Sequence, residues 1–188
     1  DPPPPPPTAH PAEAARSGDE DRVSRSSGSD SPSLSSPPDK HIIAQKLMEA
    51  AKFGDEDTVT RLLQQGVDTD DVNIGLWGSA ACGHENLVKI FHDYGGEVNI
   101  QLEITQKRAP FIMSVLCGHL AVTKLLLNLG AEIDLQDEDG DTALMKAVKR
   151  GNSELAKELK TRGADDTIKN KNGETGHQLI LVSDFMSA

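Results

Sequence analysis

From residue 41 onward the apolar residues fall at helical spacing in short, paired runs. Leu47, Ala50 and Ala51 stand at i, i+3 and i+4, and after Gly54-Asp55 the set Val59, Leu62 and Leu63 repeats the stripe. Asp55 is placed to cap the second helix of this pair, Glu56 and Asp57 suit its positive end, and Gly66 stops it. A second pair is predicted from about Leu76 to Ala81 and from Glu85 to His92, with Gly83-His84 between. The third runs from Pro110 to Leu116 and from Leu120 to Leu127, around Gly118-His119. The fourth runs from Thr142 to Lys149 and from Ser153 to Thr161, around Gly151-Asn152. Thr175 opens a fifth unit that supplies one helix, to about Val182.

The break glycines Gly54, Gly83, Gly118 and Gly151 are 29, 35 and 33 residues apart. Asp137-Glu138-Asp139-Gly140-Asp141-Thr142 returns thirty-three residues later as Asn170-Lys171-Asn172-Gly173-Glu174-Thr175. Self-similarity at this period predicts an all-α repeat solenoid, in which neighbouring units must stack to bury their apolar faces. The expected units are about 41–68, 69–99, 100–134, 135–167 and a partial 168–188, in a domain spanning residues 40–188. Helix length holds constant and the linking segments absorb the variation, because loop length costs little while the stacked faces cannot change register.

Composition divides the chain at about residue 39. Ten of the eleven prolines precede Lys40, with many of the serines and only Val23 and Leu34 as substantial apolar residues, so residues 1–39 are expected to be a disordered acidic tail. Pro2 to Pro7 favours polyproline II, a linker or a contact for a proline-recognition partner. Ser31-Pro32 and Ser36-Pro37 are candidate phosphorylation sites. The whole chain carries a formal charge of −11, and 16 basic against 23 acidic residues follow residue 39. Both parts are acidic, which argues against nucleic acid or an anionic membrane as partner. No apolar run approaches a membrane span and no signal h-region is present, so a cytoplasmic or nuclear setting is expected. Cys82 and Cys117 would lie one repeat apart, too far for a disulfide, and read as free thiols of a reducing compartment.

Ala109-Pro110-Phe111-Ile112-Met113-Ser114-Val115-Leu116-Cys117-Gly118-His119, followed by Val122 to Leu127 and Gly130-Ala131-Glu132-Ile133-Asp134, resembles the ankyrin repeat family nearly position by position. The fourth unit keeps Gly140, Thr142, Leu144, Ala147, Gly151 and Gly163-Ala164-Asp165. The resemblance covers about residues 41–181 and implies an ankyrin-repeat stack of helix-turn-helix units with short hairpin loops. The second unit departs from the pattern. It has Ile74-Gly75-Leu76-Trp77-Gly78 where the family has Thr-Pro-Leu-His-Leu, a linker about four residues short, and two helix glycines that each cost about 1 kcal/mol. The linker from Asn99 to Arg108 has no Asp-x-x-Gly turn, so an irregular hairpin is expected, and Lys146 stands at a normally apolar position.

No constellation for catalysis, cofactor or metal emerges. His84-Glu85-Asn86-Leu87-Val88 has Val88 where a zinc-protease helix needs its second histidine. Asp137-Glu138-Asp139-Gly140 resembles part of a calcium loop, but Leu135 and Lys146 occupy essential ligand positions. His84 and His119 take the family's structural histidine position.

What remains is a surface. The resemblance implies partner contacts at the last exposed residues of each first helix, here Ala81, Cys82, Leu116, Cys117, Lys149 and Arg150, and at the hairpin tips, here Arg108, Glu138, Asp141, Lys171 and Glu174. Trp77 and Tyr94 join them as the residue types enriched at binding hot spots, although Trp77 equally suits space left by Gly75 and Gly78. The concave face is expected to be apolar toward the N-terminal end, basic toward the C-terminal end and fringed by acidic tips. Asn99 sits where asparagine hydroxylation is known in the family, with Phe91 in place of the preferred leucine. The expectation is a monomeric, non-enzymatic scaffold or adaptor module for a protein partner. The alternative is the substrate-selecting segment of a larger enzyme such as a kinase or ubiquitin ligase, suggested by a start at Asp1 without methionine and by the half-finished fifth unit.

Overall fold

Each break glycine separates two helices that fold back on one another. The computed structural model describes residues 40–186, with side chains from 42 to 181. The expected tail, its Pro2–Pro7 run and both Ser-Pro sites lie outside the described residues. The helices are α1 (Lys40–Phe53), α2 (Glu56–Gln64), α3 (Thr69–Cys82), α4 (Glu85–Asp93), α5 (Pro110–Cys117), α6 (Leu120–Asn128), α7 (Ala143–Lys149), α8 (Ser153–Thr161) and α9 (Gly176–Met186). No strand occurs among the described residues; Lys169 and Thr175 form an isolated antiparallel bridge. The first helices α1, α3, α5, α7 and α9 stack in sequence as one layer, and α2, α4 and α6 stack in a second. Between the layers runs a continuous core that includes Leu47, Val59, Leu76, Leu87, Phe91, Phe111, Val115, Leu126, Leu144, Leu155 and Leu159. This is an all-α repeat stack in which each unit's apolar face is completed by its neighbours.

Apart from the start of α3, local chemistry starts and stops these helices where the sequence predicts. Asp55 Oδ1 accepts the Thr58 N–H at 3.0 Å, Thr142 Oγ1 accepts from Met145, and Asn152 Oδ1 accepts from Leu155 at 3.0 Å. Pro110 opens α5, where its missing N–H is not needed. Gly83 and Gly118 close α3 and α5 at φ 82° and 83°, a left-handed turn that favours glycine.

The histidines after the break glycines are braces between units. His84 Nε2 lies 3.1 Å from the Lys52 carbonyl oxygen, and His119 Nε2 lies 3.0 Å from that of Ala81. A Cβ on Gly83 would stand 2.6 Å from His119 Nδ1, so the glycine gives both the turn and the room for the ring. His119→Ala is expected to lower stability by about 0.5–1.5 kcal/mol, the usual net contribution of one hydrogen bond. Urea denaturation of the variant beside the parent chain checks this.

The structure corrects two expectations about the second unit. α3 begins at Thr69, seven residues before the expected start, and is as long as α1 at 14 residues. Two extra turns of helix stand where a hairpin was expected, which accounts for the short linker. Asp70 and Asp71 favour the new N-terminus, and Asn73, buried in these turns, accepts the Glu97 N–H at 2.8 Å. Gly75 is also a requirement of packing as well as a propensity cost: a Cβ there would lie under 3.0 Å from three atoms of the Phe91 ring. Phe91, and not Trp77, occupies that space.

The hairpin before α5 is irregular, as expected. Glu103–Thr105 form a 3-10 turn, and Gln106 and Lys107 have φ values of 56° and 54°. Bonds from other units hold this strained tip: Trp77 Nε1–H donates to the Arg108 carbonyl at 2.9 Å, and Glu138 N–H donates to that of Gln106 at 3.0 Å.

Candidate functional site

α1 spends one stripe on the core, with Ile43, Leu47, Ala50 and Ala51 buried. That leaves Met48 and Phe53 on the surface, 43% and 72% exposed. α3 stacks beside α1 and brings Trp77, Gly78, Ala81 and Cys82 to the same face. Together they wall a groove of about 480 Å³. A Cβ on Gly78 would meet nothing within 4 Å, so the groove is open at that point. Trp77 is half-buried, and its indole N–H is already used on the Arg108 carbonyl, so its ring offers apolar surface held at a fixed angle.

Three of the residues chosen from sequence, Trp77, Ala81 and Cys82, come together in this groove. Met48 and Phe53 were missed. Their signal was present in the pattern, as large apolar residues off the buried stripe of α1. Leu116, half-buried, and Cys117, exposed, take the equivalent places on α5, and Lys149 and Arg150, both exposed, those at the end of α7. Tyr94 is exposed at the end of α4, in the second layer, and does not share a surface with Trp77. Both cysteines are free and exposed. Burial pushes the Cys117 thiol upward, with Arg150 opposing it.

At the other end of the stack the hairpin before α7 holds a cluster of charges. Lys146 Nζ lies 2.8 Å from Asp137, 3.2 Å from Asp139 and 2.9 Å from Asp141. Lys149 Nζ lies 2.8 Å from Asp141 and 3.2 Å from Glu174. Arg108 approaches Asp137 at 3.5 Å from the preceding hairpin, and Asn170 Nδ2 donates to Asp141 and Glu174 from the following one. Three successive hairpins are thereby tied together. The three aspartates could converge on a cation, with oxygens within 4.8 Å of one another. The Lys146 ammonium occupies that position as a cation belonging to the chain, in keeping with the lysine that breaks the calcium-loop pattern.

Burial works against ionisation of Asp141, but hydrogen bonds from Lys149, Asn170 and Lys146 outweigh it and hold the carboxyl below the ordinary carboxylate range. Burial opposes the ammonium charges too, yet Asp137 and Asp141 raise Lys146, and Asp141 and Glu174 raise Lys149, above the ordinary lysine value. Asn170 and Lys149 hold the Glu174 carboxyl low.

This cluster corrects the expected surface in two places. Asp141 is no exposed tip; it is 2% exposed, inside the cluster. Lys149, expected as free basic surface, is bound to Asp141 and Glu174, so the change of sign toward the C-terminal end is largely neutralised there. Arg108 is half-buried, whereas Glu138 and Lys171 are exposed at their tips. Asn99 bridges two units, donating to the Gly130 carbonyl and accepting the Glu132 N–H.

A family model described as ankyrin repeats (3 copies) matches the chain over residues 47–137 and 76–170. No curated protein gives a significant match.

Proposed function

The chain belongs to the ankyrin-repeat family, and from that premise we propose that it is a non-catalytic scaffold or adaptor module that binds a partner protein across its first-helix layer, the concave face of the family. The observation that carries this reading is the groove between α1 and α3, where Met48 and Phe53 stay exposed beside Trp77, Ala81 and Cys82. Large apolar groups gathered on one rigid face, next to an aromatic whose orientation is already fixed, lose little ordering entropy when a partner covers them. The outer parts of the contact are assigned to Leu116 and Cys117 on α5, to Arg150 on α7, and to the exposed tips Glu138 and Lys171. Residues 40–188 form the binding module in this proposal, and Pro2–Pro7 serves a separate proline-recognition partner. Two free thiols fit a reducing cytoplasmic or nuclear setting.

Photo-cross-linking tests the proposal. A benzophenone side chain in place of Phe53 is expected to capture a discrete partner protein from cells, and one in place of Lys89 on α4 is not. Met48→Asp is expected to weaken that partner's binding by about 30-fold or more, the scale of one interface hot spot. Capture of the same protein from Lys89 with none from Phe53 would move the interface to the second layer.

A further inference from the structure

α3 has a gap in a row of side chains that the other units keep. Glu49, Gly78, Met113 and Lys146 hold the same place in successive first helices, five residues before each break glycine, and of the four only Gly78 has no side chain. Gly75, in the same helix, is required by the Phe91 ring, but a Cβ on Gly78 would meet nothing within 4 Å. Glycine is a poor helix former, and packing gives no reason for one here. Its effect is to open the groove between α1 and α3, which reaches down to the buried Ala51 between Met48, Phe53 and Trp77.

The groove ends at Phe53 and Cys82. The next residues, Gly54 and Gly83, open a second depression of about 330 Å³, lined by Glu56, His84, Glu85 and Asn86. Its charge is negative. Glu56 and Glu85 are exposed, Asp55 and Asp57 are exposed on the same turn, and among the described residues none of the four is in an ion pair. Against them stand Arg61 and Lys52, and Lys52 is offset by Glu49 on the groove's own rim.

We propose that groove and depression form one site, and that it takes a partner segment carrying an aromatic ring with a lysine or arginine a few residues away. The inference rests on the reading of the α1–α3 groove as the partner-binding face, and it names what fills that groove. The ring enters at Gly78, where it meets the fixed indole of Trp77 and the thioether of Met48, contacts that favour an aromatic side chain over an aliphatic one. The basic side chain continues past the break glycines to the unpaired carboxylates, whose charge it complements. Gly78 is thus the residue that sets specificity, since any larger side chain there occupies the place of the ring.

Two short acetylated peptides provide the probe, each with one tryptophan, flanked on both sides by lysines in the first and by glutamates in the second. The lysine peptide is expected to bind the 188-residue chain, shift the backbone amides of Gly78, Cys82 and Glu85, and exceed the glutamate peptide in affinity by about tenfold, as one charge pair at an interface allows. Gly78→Leu, whose Cβ has open space, should weaken the lysine peptide by about tenfold or more, the scale of a lost anchor. Glu85→Lys, an exposed change, should remove or reverse the preference between the peptides. Gly78→Ala should unfold at no lower urea concentration than the parent chain; a lower midpoint would show a structural need for the glycine and overturn the argument. The inference is also overturned if the lysine peptide leaves those amides unmoved, if Gly78→Leu binds it as the parent does, or if the two peptides bind alike. Any of these results beside capture of a protein through Phe53 leaves the groove reading standing, and beside no capture both fall.

Discussion

Lys146→Met is expected to lower the free energy of unfolding by about 3–5 kcal/mol, the cost of leaving a buried charge without its partner. Among the described residues the lysine is the one group that touches all three aspartates of its hairpin, and two of these, Asp137 and Asp141, are buried. Methionine keeps the aliphatic volume and removes only the ammonium, so the loss reports charge and not packing. Lys146→Met combined with Asp141→Asn should recover part of it, because one stranded carboxylate is neutralised. Denaturant unfolding of the two variants beside the parent chain measures both effects, on a scale where about 5–15 kcal/mol is the whole stability of a domain.

The same cluster sets a pH window. The folded-state value of Asp141 is depressed, so the stability it contributes is present above the unfolded carboxylate value near about 4 and is lost as pH falls through the folded value. Lys146 and Lys149 are raised. Their contribution is complete below the unfolded lysine value near about 10.4 and is lost as pH rises through the folded values. Stability should therefore hold level across neutral pH and fall at both ends, with a shallower acid limb in the Lys146→Met, Asp141→Asn double variant.

Gly75→Ala is expected to cost about 1–3 kcal/mol or more, the usual range for overpacking a filled core. A methyl group there would press on the Phe91 ring, which is fully buried and has no room to swing aside. Propensity alone points the other way, since alanine exceeds glycine by about 1 kcal/mol inside a helix. The sign of the change thus separates packing from propensity. Phe91→Leu removes the opposing ring, so the Gly75→Ala, Phe91→Leu double variant should be more stable than the sum of the single losses, with a coupling of about 0.5–3 kcal/mol. A double-mutant cycle by urea denaturation measures it.

These two residues also mark what was and was not legible in the sequence. The repeat period, the break glycines and the bounds of α4 to α8 could be read to within about a residue, because capping and left-handed turns are local chemistry. α3 could not. Its first two turns contain Thr69, Val72, Ile74 and Gly75, poor helix formers held in place by contacts such as Asn73 with Glu97, 24 residues away. Lys146 was noticed as out of place and as the residue that breaks a calcium loop, but its partners had to be seen to explain it. Asp141 beside Gly140 reads as an exposed turn, and only Lys146, Lys149 and Asn170 reveal it as buried. The groove was half legible. Ala81 and Cys82 follow from the family pattern and Trp77 from its residue type, whereas Met48 and Phe53 lie on a helix whose only distinguishing mark is which stripe the core uses.

Cys82 lies in the groove, and its native thiol reports most directly whether a partner protein covers this face. The rate of iodoacetamide labelling at Cys82 should be compared in the free chain and in the complex with the protein captured through Phe53. Labelling is expected to slow by about tenfold or more in the complex, while the free chain reacts as an exposed thiol does. Labelling of Cys82 at the same rate in both would contradict it.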